Sequence, residues 1–178
     1  YKYKRVFNYQ PLDESEATRG SIGIPRTLNL YEEYPFWFTF FTKLKFRVEL
    51  SSKSTAEIYF KGMATVPSDS LCYPAKLAHG HVMDLIERGI TRIFYPCEPY
   101  NFPNDPKSDD NHFNCPIVAS YAENIRGNMD IIRDKQIQFI QPFLPIASQK
   151  RLSERIFEEF KKEFPTEHFS KSEIVDAI

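Results

Sequence analysis

Short apolar segments with a strand-like pattern alternate along this chain with longer segments that have the period of an α-helix. Strands are predicted at 21–25, 46–50, 92–95 and 136–143. Strands that alternate with helices form parallel sheets with helices on both faces, because each connection crosses over the sheet. The sequence therefore predicts an α/β fold with a short parallel sheet of about four strands, in a flavodoxin-like or Rossmann-like order.

The predicted helices are recognised by an apolar face and by the residues at their ends. Proline is favoured in the first helical turn, so Pro35 is expected at a helix start. The segment Phe36–Phe41 is apolar on every helical face, which predicts a buried helix or a contact with another domain. A polar loop is predicted at 98–114, and helices are predicted at 34–44, 54–62, 75–88, 117–129, 152–164 and 170–178.

The length of 178 residues fits one domain that can bury a substantial core. Residues 1–19 lack a sustained period and are predicted to be a linker or a strap over the domain, which then occupies 20–178. Because the chain begins at Tyr1 without an initiator methionine, we expect it to be excised from a larger, multidomain protein.

Composition excludes several classes of partner. The net charge is −1 and no basic stripe is present, so nucleic acid is not an expected partner. No apolar run reaches about 18 residues, which argues against a membrane span. Three widely spaced cysteines do not resemble a secreted disulfide framework, and a reducing, cytoplasmic location is expected.

Each of the three cysteines lies beside a proline, in the sequences Cys72-Tyr73-Pro74, Pro96-Cys97 and Cys115-Pro116. Cys72 and Cys115 are therefore predicted at helix starts, and Cys97 at the end of a strand. A helix start carries partial positive charge, which favours thiolate over thiol. All three positions belong to the edge of a parallel sheet where the strands end, and this is where ligands bind in such folds.

Several kinds of site are compatible with three cysteines at this edge. Three thiolates can hold a cuboidal iron–sulfur cluster with one iron open to another ligand. Zinc usually takes four ligands, so a Cys3His site would require His112. One cysteine could instead act as a nucleophile, or all three could be reduced thiols packed as small apolar side chains. Glu98, His79 and His112 are weak candidates for catalytic residues because they lie near the cysteines in sequence.

Five segments of the chain resemble one protein family. That family is a domain of unknown function in large bacterial proteins described as CoA-substrate-specific enzyme activases. The domain is similar to the cluster-binding subunits of 2-hydroxyglutaryl-CoA dehydratase and benzoyl-CoA reductase, which belong to anaerobic metabolism. The resemblance covers nearly the whole chain and rests on the segments 22–26 (IGIPR), 34–37 (YPFW), 72–81 (CYPAKLAHGH), 94–97 (FYPC) and 114–118 (NCPIV).

The resemblance implies that Cys72, Cys97 and Cys115 ligate a 4Fe–4S cluster with one non-cysteine position. It also implies that electrons come from an ATP-hydrolysing activase with its own cluster. The chain contains no P-loop, so no ATPase activity is expected from this segment alone. A fragment purified in air can lose the cluster.

Two functions follow as expectations. The first is a cluster-binding domain of a 2-hydroxyacyl-CoA dehydratase or benzoyl-CoA reductase-like system, which accepts low-potential electrons from an ATP-dependent activase. Its partners would be activase domains and a dehydratase or reductase domain, in the same or a partner chain. The second is a non-catalytic module, cluster-free or zinc-bound, that links the ATPase and reductase parts.

Overall fold

A computed structural model of the protein describes residues 1–102 and 111–178. The predicted polar loop at 98–114 is therefore described at both of its ends, and its residues 103–110 lie outside the described part. None of the helices in the described ranges is both long enough and apolar enough to cross a membrane.

The sheet has four parallel strands in the spatial order β2-β1-β3-β4. They are β1 (Ser21–Ile24), β2 (Arg47–Leu50), β3 (Arg92–Phe94) and β4 (Gln138–Ile140). The predicted α/β fold with a flavodoxin-like parallel sheet is confirmed. From β1 the chain moves outward to β2 and then returns past β1 to β3, so right-handed crossovers place helices on both faces.

Eight helices accompany the strands in the described residues, and a single 3₁₀ turn at Met63–Thr65 follows α3. The first helix lies within the predicted strap and packs on the second, where Phe7 contacts Tyr34 at a ring-centroid distance of 5.4 Å. The helices are α1 (Lys2–Phe7), α2 (Leu30–Lys43), α3 (Ala56–Gly62), α4 (Tyr73–Glu87), α5 (Pro116–Asn128), α6 (Asp130–Asp134), α7 (Gln149–Glu163) and α8 (Lys171–Ala177).

Several predicted boundaries differ from the structure, and two of the differences, at α2 and β4, have a local cause. Helix α2 begins at Leu30, so Pro35 lies inside the helix rather than at its start. Leu28, with a left-handed φ of 48°, precedes the N-cap residue Asn29, and two glutamates in the first turn suit the positive end of the helix. Strand β4 begins at Gln138 instead of Gln136, because Gln136 has a φ of 53°, which is incompatible with a strand.

One face of the sheet is covered by aromatic side chains from α2 and α7. Trp37 packs against Phe94 of β3 with ring centroids 4.6 Å apart, and Phe40 contacts Phe160 at 6.0 Å. All four of these side chains are almost completely buried. The segment Phe36–Phe41 is therefore mainly part of the core, which is one of the two alternatives that its sequence predicts.

The other face is covered by α4 and α5, with α3 packed closely on α4. A Cβ atom added to Gly80 would lie 1.8 Å from the carbonyl oxygen of Ile58, and one added to Gly62 would lie 2.2 Å from the amide nitrogen of Gly80. The absence of side chains at these two positions allows the two helix backbones to touch. Helix α4 also buries His79, His81 and Asp84.

Candidate site at the carboxyl edge of the sheet

The candidate site lies where the strands end and α2, α4 and α5 begin. In this strand order the connections leave β1 and β3 towards opposite faces, and the crevice between these two strand ends is the usual ligand position in open α/β sheets. Here the crevice is bordered by residues 25–29 after β1, residues 95–98 after β3, and the first turn of α2.

Cys72 and Cys115 are the N-cap residues of α4 and α5. Both have extended backbone angles, with φ and ψ of −63° and 150° at Cys72 and −62° and 154° at Cys115. Neither side chain caps its helix by a hydrogen bond, and both residues are exposed. The prediction that prolines mark these cysteines as helix starts is confirmed.

Cys97 lies in a different environment. Its N–H donates to the carbonyl of Pro142 and its carbonyl accepts from the N–H of Leu144, each at 2.9 Å, so it extends the pairing of β3 beyond Phe94. The residue is completely buried, and its thiol packs against the backbone of α5 at Ala122 and Glu123. Burial raises the pKa of this thiol to about 11, so it holds its proton at neutral pH.

All three cysteines lie at the same edge, but they do not form a preassembled metal site. Asn114, directly before Cys115, donates from Nδ2 to the carbonyl of Glu98 at 2.8 Å, which holds Cys115 near the Cys97–Glu98 segment. Among the described residues no three His, Cys, Asp or Glu side chains are arranged to hold a metal ion. Cys72 and Cys115 are exposed, whereas Cys97 is completely buried and does not present its sulfur.

His79 is a buried part of the packing between α4 and α5. Its Nδ1 lies 2.8 Å from Oγ1 of Thr65, and its Nε2 lies 2.9 Å from the hydroxyl of Tyr121. Burial lowers the pKa of His79 to about 4, so the ring is neutral at pH 7. Burial and then the nearby Cys72 raise the pKa of Tyr121 to about 12, which places this hydroxyl close to the Cys72 side of the edge.

His81 and His112 make their hydrogen bonds with residues other than the cysteines. His81 is buried between Ser51 and Ser54, each 2.9 Å from one ring nitrogen, and burial lowers its pKa to about 4. His112 lies with Nδ1 2.8 Å from the carbonyl oxygen of Asn101. A Cys3His zinc site with His112 is therefore not assembled among the described residues.

Glu98 is buried beside Glu33, a residue in the first turn of α2 that the sequence analysis did not identify. Both side-chain oxygens of Glu98 lack a hydrogen-bond partner among the described residues, and the side chain is completely buried. Burial, with the neighbouring Glu33, raises the pKa of Glu98 well above its ordinary value, and burial also raises that of Glu33. Two carboxyl groups in contact can form a hydrogen bond only when one keeps its proton.

Glu33 connects this pair to a cavity of about 390 Å³. Its Oε2 accepts from Nε1 of Trp37 at 3.2 Å and from Nδ2 of Asn29 at 3.5 Å. The remaining walls are mostly apolar and include Phe36, Ile146 and Leu152. No local sequence signal links Glu33 to Glu98, because the pair forms only when α2 and the end of β3 come together.

Comparison with curated proteins and comparison with solved structures both give no significant match. The sequence model of one protein family, described as CoA enzyme activase uncharacterised domain (DUF2229), matches residues 21–178. The match covers the whole α/β fold from the first residue of β1 and leaves out the strap with α1. The chain therefore belongs to the family of CoA enzyme activase uncharacterised domains.

Proposed function

We propose that this chain is a 4Fe–4S cluster-binding domain of a 2-hydroxyacyl-CoA dehydratase or benzoyl-CoA reductase-like system in the cytoplasm. It would accept low-potential electrons from an ATP-dependent activase, and a dehydratase or reductase domain would be the second partner. Membership of the CoA enzyme activase family supports this proposal, as does the collection of all three cysteines at the carboxyl edge of the sheet.

The observation that carries the proposal is the matching placement of Cys72 and Cys115. Each is an exposed N-cap, and both helices begin at the edge where this fold binds ligands. The helices have 15 and 13 residues, so the positive ends of both dipoles favour an anionic ligand at this edge. We assign these two thiolates as the ligands that this chain supplies in the conformation described.

Cys97 is a third ligand only if its thiol leaves α5. In the packed conformation the remaining cluster positions would be filled from outside this fold, by a partner domain or an added thiol. When bound, the cluster supplies one-electron transfer. This chain would supply two of the cluster ligands, Cys72 and Cys115. The neutral ring of His79 would hold the Tyr121 hydroxyl in place near Cys72 through their hydrogen bond.

Exposed aromatic side chains on the same edge favour the second function, an interaction module. Tyr73 follows Cys72 and stacks on Tyr59 at a centroid distance of 5.4 Å, while Tyr100 and Phe113 pack together near Cys115 at 4.4 Å. Tyr73 is 57% and Phe113 is 65% exposed. Aromatic residues are enriched in protein interfaces, so a partner that completes the cluster could dock here.

Anaerobic reconstitution with iron, sulfide and a small thiol tests the cluster directly. We expect about four irons per chain with the visible absorbance of an iron–sulfur cluster. Cys72→Ser and Cys115→Ser should each reduce bound iron to background, because each removes a thiolate that the fold presents. Ser70→Ala is the matched control, since it changes an exposed side chain two residues before Cys72 without removing a thiolate.

The other outcomes separate the alternatives. If Cys97→Ser abolishes iron binding as completely as the other two variants, all three cysteines are ligands and α5 must open. If the wild-type chain takes up no iron without oxygen, or takes up zinc instead, the cluster assignment fails and the interaction module is supported.

A further inference from the structure

Arg26 follows β1 at the carboxyl edge of the sheet, and its guanidinium group is a buried positive charge. The residue is 9% exposed. In residues 1–102 and 111–178, the groups that contribute to its electrostatics are tyrosines, and none of them is an acid that is ionised at neutral pH. A buried charge without an opposite charge is costly, so this position favours an anion.

The hydrogen bonds of Arg26 go to neutral acceptors. Its Nε and Nη2 donate to the carbonyl oxygen of Ser51 at 3.2 and 3.1 Å, and its Nη1 donates to the hydroxyl of Tyr3 in α1. A guanidinium group has five N–H donors in a planar fork that matches two oxygens of a phosphate or a carboxylate. The Tyr3 hydroxyl therefore lies where an oxygen of such an anion would accept.

A second cation approaches the same ring. Nζ of Lys53 lies 5.4 Å from the centre of the Tyr3 ring, and the guanidinium carbon of Arg26 lies at the same distance of 5.4 Å. Lys53 is exposed in the loop after β2. A phosphate group carries nearly two negative charges at neutral pH, so it suits two cations better than a carboxylate with one charge.

Helix α1 covers this position but is held weakly. It has six residues, and none of them is buried. An isolated helix of this length is not stable in water. Its contacts with α2 include the packing of Phe7 on Tyr31, with ring centroids 4.7 Å apart, and an ion pair between Lys2 and Glu32. This ion pair contributes little because both side chains are highly exposed.

We propose that Arg26 and Lys53 bind a phosphate group, and that Tyr3 of α1 occupies this site until the phosphate displaces it. The Tyr3 hydroxyl and a phosphate oxygen cannot accept from Nη1 of Arg26 at the same position, so phosphate binding and the docking of α1 exclude each other. In the bound state Arg26 has the opposite charge that it otherwise lacks. The site is independent of the cluster and needs no iron in the protein.

Limited digestion of the full chain with trypsin measures the release of α1, because Arg5 is a cleavage site in this helix. The rate of cleavage after Arg5 is followed by mass spectrometry in inorganic phosphate, acetate or chloride at one pH and ionic strength. A ligand that binds only the open form raises this rate by the factor 1 + [L]/Kd, so phosphate at ten times its Kd should raise it about ten-fold. Acetate should raise it less than about three-fold, and chloride should leave it unchanged.

Two controls belong to this measurement. Phosphate generally favours compact states of proteins, so a non-specific effect of the salt would slow the cleavage. The activity of trypsin on a small ester substrate is measured in each buffer. Phenyl phosphate then separates free phosphate from a phosphate ester as the preferred ligand: tighter binding than inorganic phosphate identifies an ester whose body takes the place of the Tyr3 ring, and weaker binding identifies the free ion.

Matched variants test the residues of the site. Tyr3→Phe removes the hydroxyl that competes for Arg26, and should accelerate cleavage without phosphate at least about three-fold. Tyr1→Phe is the same change at a residue that is 97% exposed, and should alter the rate less than about two-fold. In calorimetric titrations with inorganic phosphate, Lys53→Gln should weaken binding at least about three-fold, and Lys43→Gln, in the last turn of α2, less than about two-fold.

Arg26→Gln should abolish the effect of phosphate on cleavage. The proposal is overturned if phosphate accelerates cleavage no more than acetate does, if Tyr3→Phe behaves like Tyr1→Phe, or if the effect persists in Arg26→Gln. Circular dichroism verifies that the variants are folded. The wild-type chain and the tyrosine variants keep Arg26, so the test holds even if Arg26→Gln does not fold.

Discussion

On one face of the sheet, large aromatic side chains from α2 and α7 fill the space between the layers, whereas on the other face α3 and α4 touch through glycines. Trp37 and Phe94 represent the first kind of packing, and Gly62 and Gly80 the second. On the first face the core contacts are made between aromatic rings. The second buries two histidines and an aspartate in the same helix, α4.

This difference indicates that the two faces have different tasks. The aromatic face gains stability from the apolar area that it removes from water. On the α4 face, buried polar side chains have hydrogen-bond partners, as His79 has in Thr65 and Tyr121. This second arrangement is rigid and specific, and it supports the helix starts at which Cys72 and Cys115 lie.

The largest expected effect tests the aromatic face. Trp37→Ala should lower the free energy of unfolding by about 3–5 kcal/mol, because it leaves a cavity between α2 and β3 and removes the donor to Glu33. Urea denaturation measures the change. Trp37→Phe keeps a ring in the same place and should cost less than half as much; equal losses for the two variants would show that ring packing is not the main contribution.

The close helix contact on the other face gives the next largest effect. Gly80→Ala should cost about 1–3 kcal/mol or more, because the new methyl group meets the Ile58 carbonyl, which is backbone and cannot rotate away. The matched control is Gly127→Ala in α5, where a Cβ meets nothing within 4 Å. That substitution should stabilise the helix by up to about 1 kcal/mol. A neutral Gly80→Ala would show that α3 and α4 are not in direct contact.

The buried histidines of α4 predict that stability falls in acid. Burial and then nearby Arg26 lower the pKa of His81 to about 4, with Asp84 opposing the shift, whereas a histidine in the unfolded chain titrates at about 6.5. Stability from neutral His81 is thus complete above pH 6.5 and is lost as the pH falls towards 4. Between pH 7 and pH 5 the loss from this residue is about 2 kcal/mol.

His81→Gln isolates this contribution. The free energy of unfolding is measured in urea at pH 7 and pH 5 for the wild type and the variant, so that all other titrating groups cancel. The wild type should lose about 2 kcal/mol more than the variant between the two pH values. Equal losses would mean that His81 is not neutral and buried in solution.

The sequence predicts the regular parts of this molecule better than its site. Short apolar runs bounded by turn residues predict the existence and order of all four strands. Prolines predict that Cys72 and Cys115 lie at helix starts, because proline restricts the backbone of its immediate neighbours. The start of α2 is not predicted correctly because it depends on the left-handed conformation of Leu28, two residues before Leu30, which has no sequence signal there. Glu33 and Glu98 are 65 positions apart, and only tertiary packing brings them together.

The smallest expected effect compares the cysteines themselves in the reduced, metal-free chain. Cys97→Ser buries a hydroxyl under α5 and should cost about 1 kcal/mol of stability. Cys72→Ser changes an exposed N-cap to a residue that caps helices well, so it should be within about 0.5 kcal/mol of the wild type. Urea denaturation measures both. If Cys97→Ser is as harmless as Cys72→Ser, the Cys97 thiol is free in solution, and the division of the three sulfurs into two presented ligands and one buried thiol is wrong.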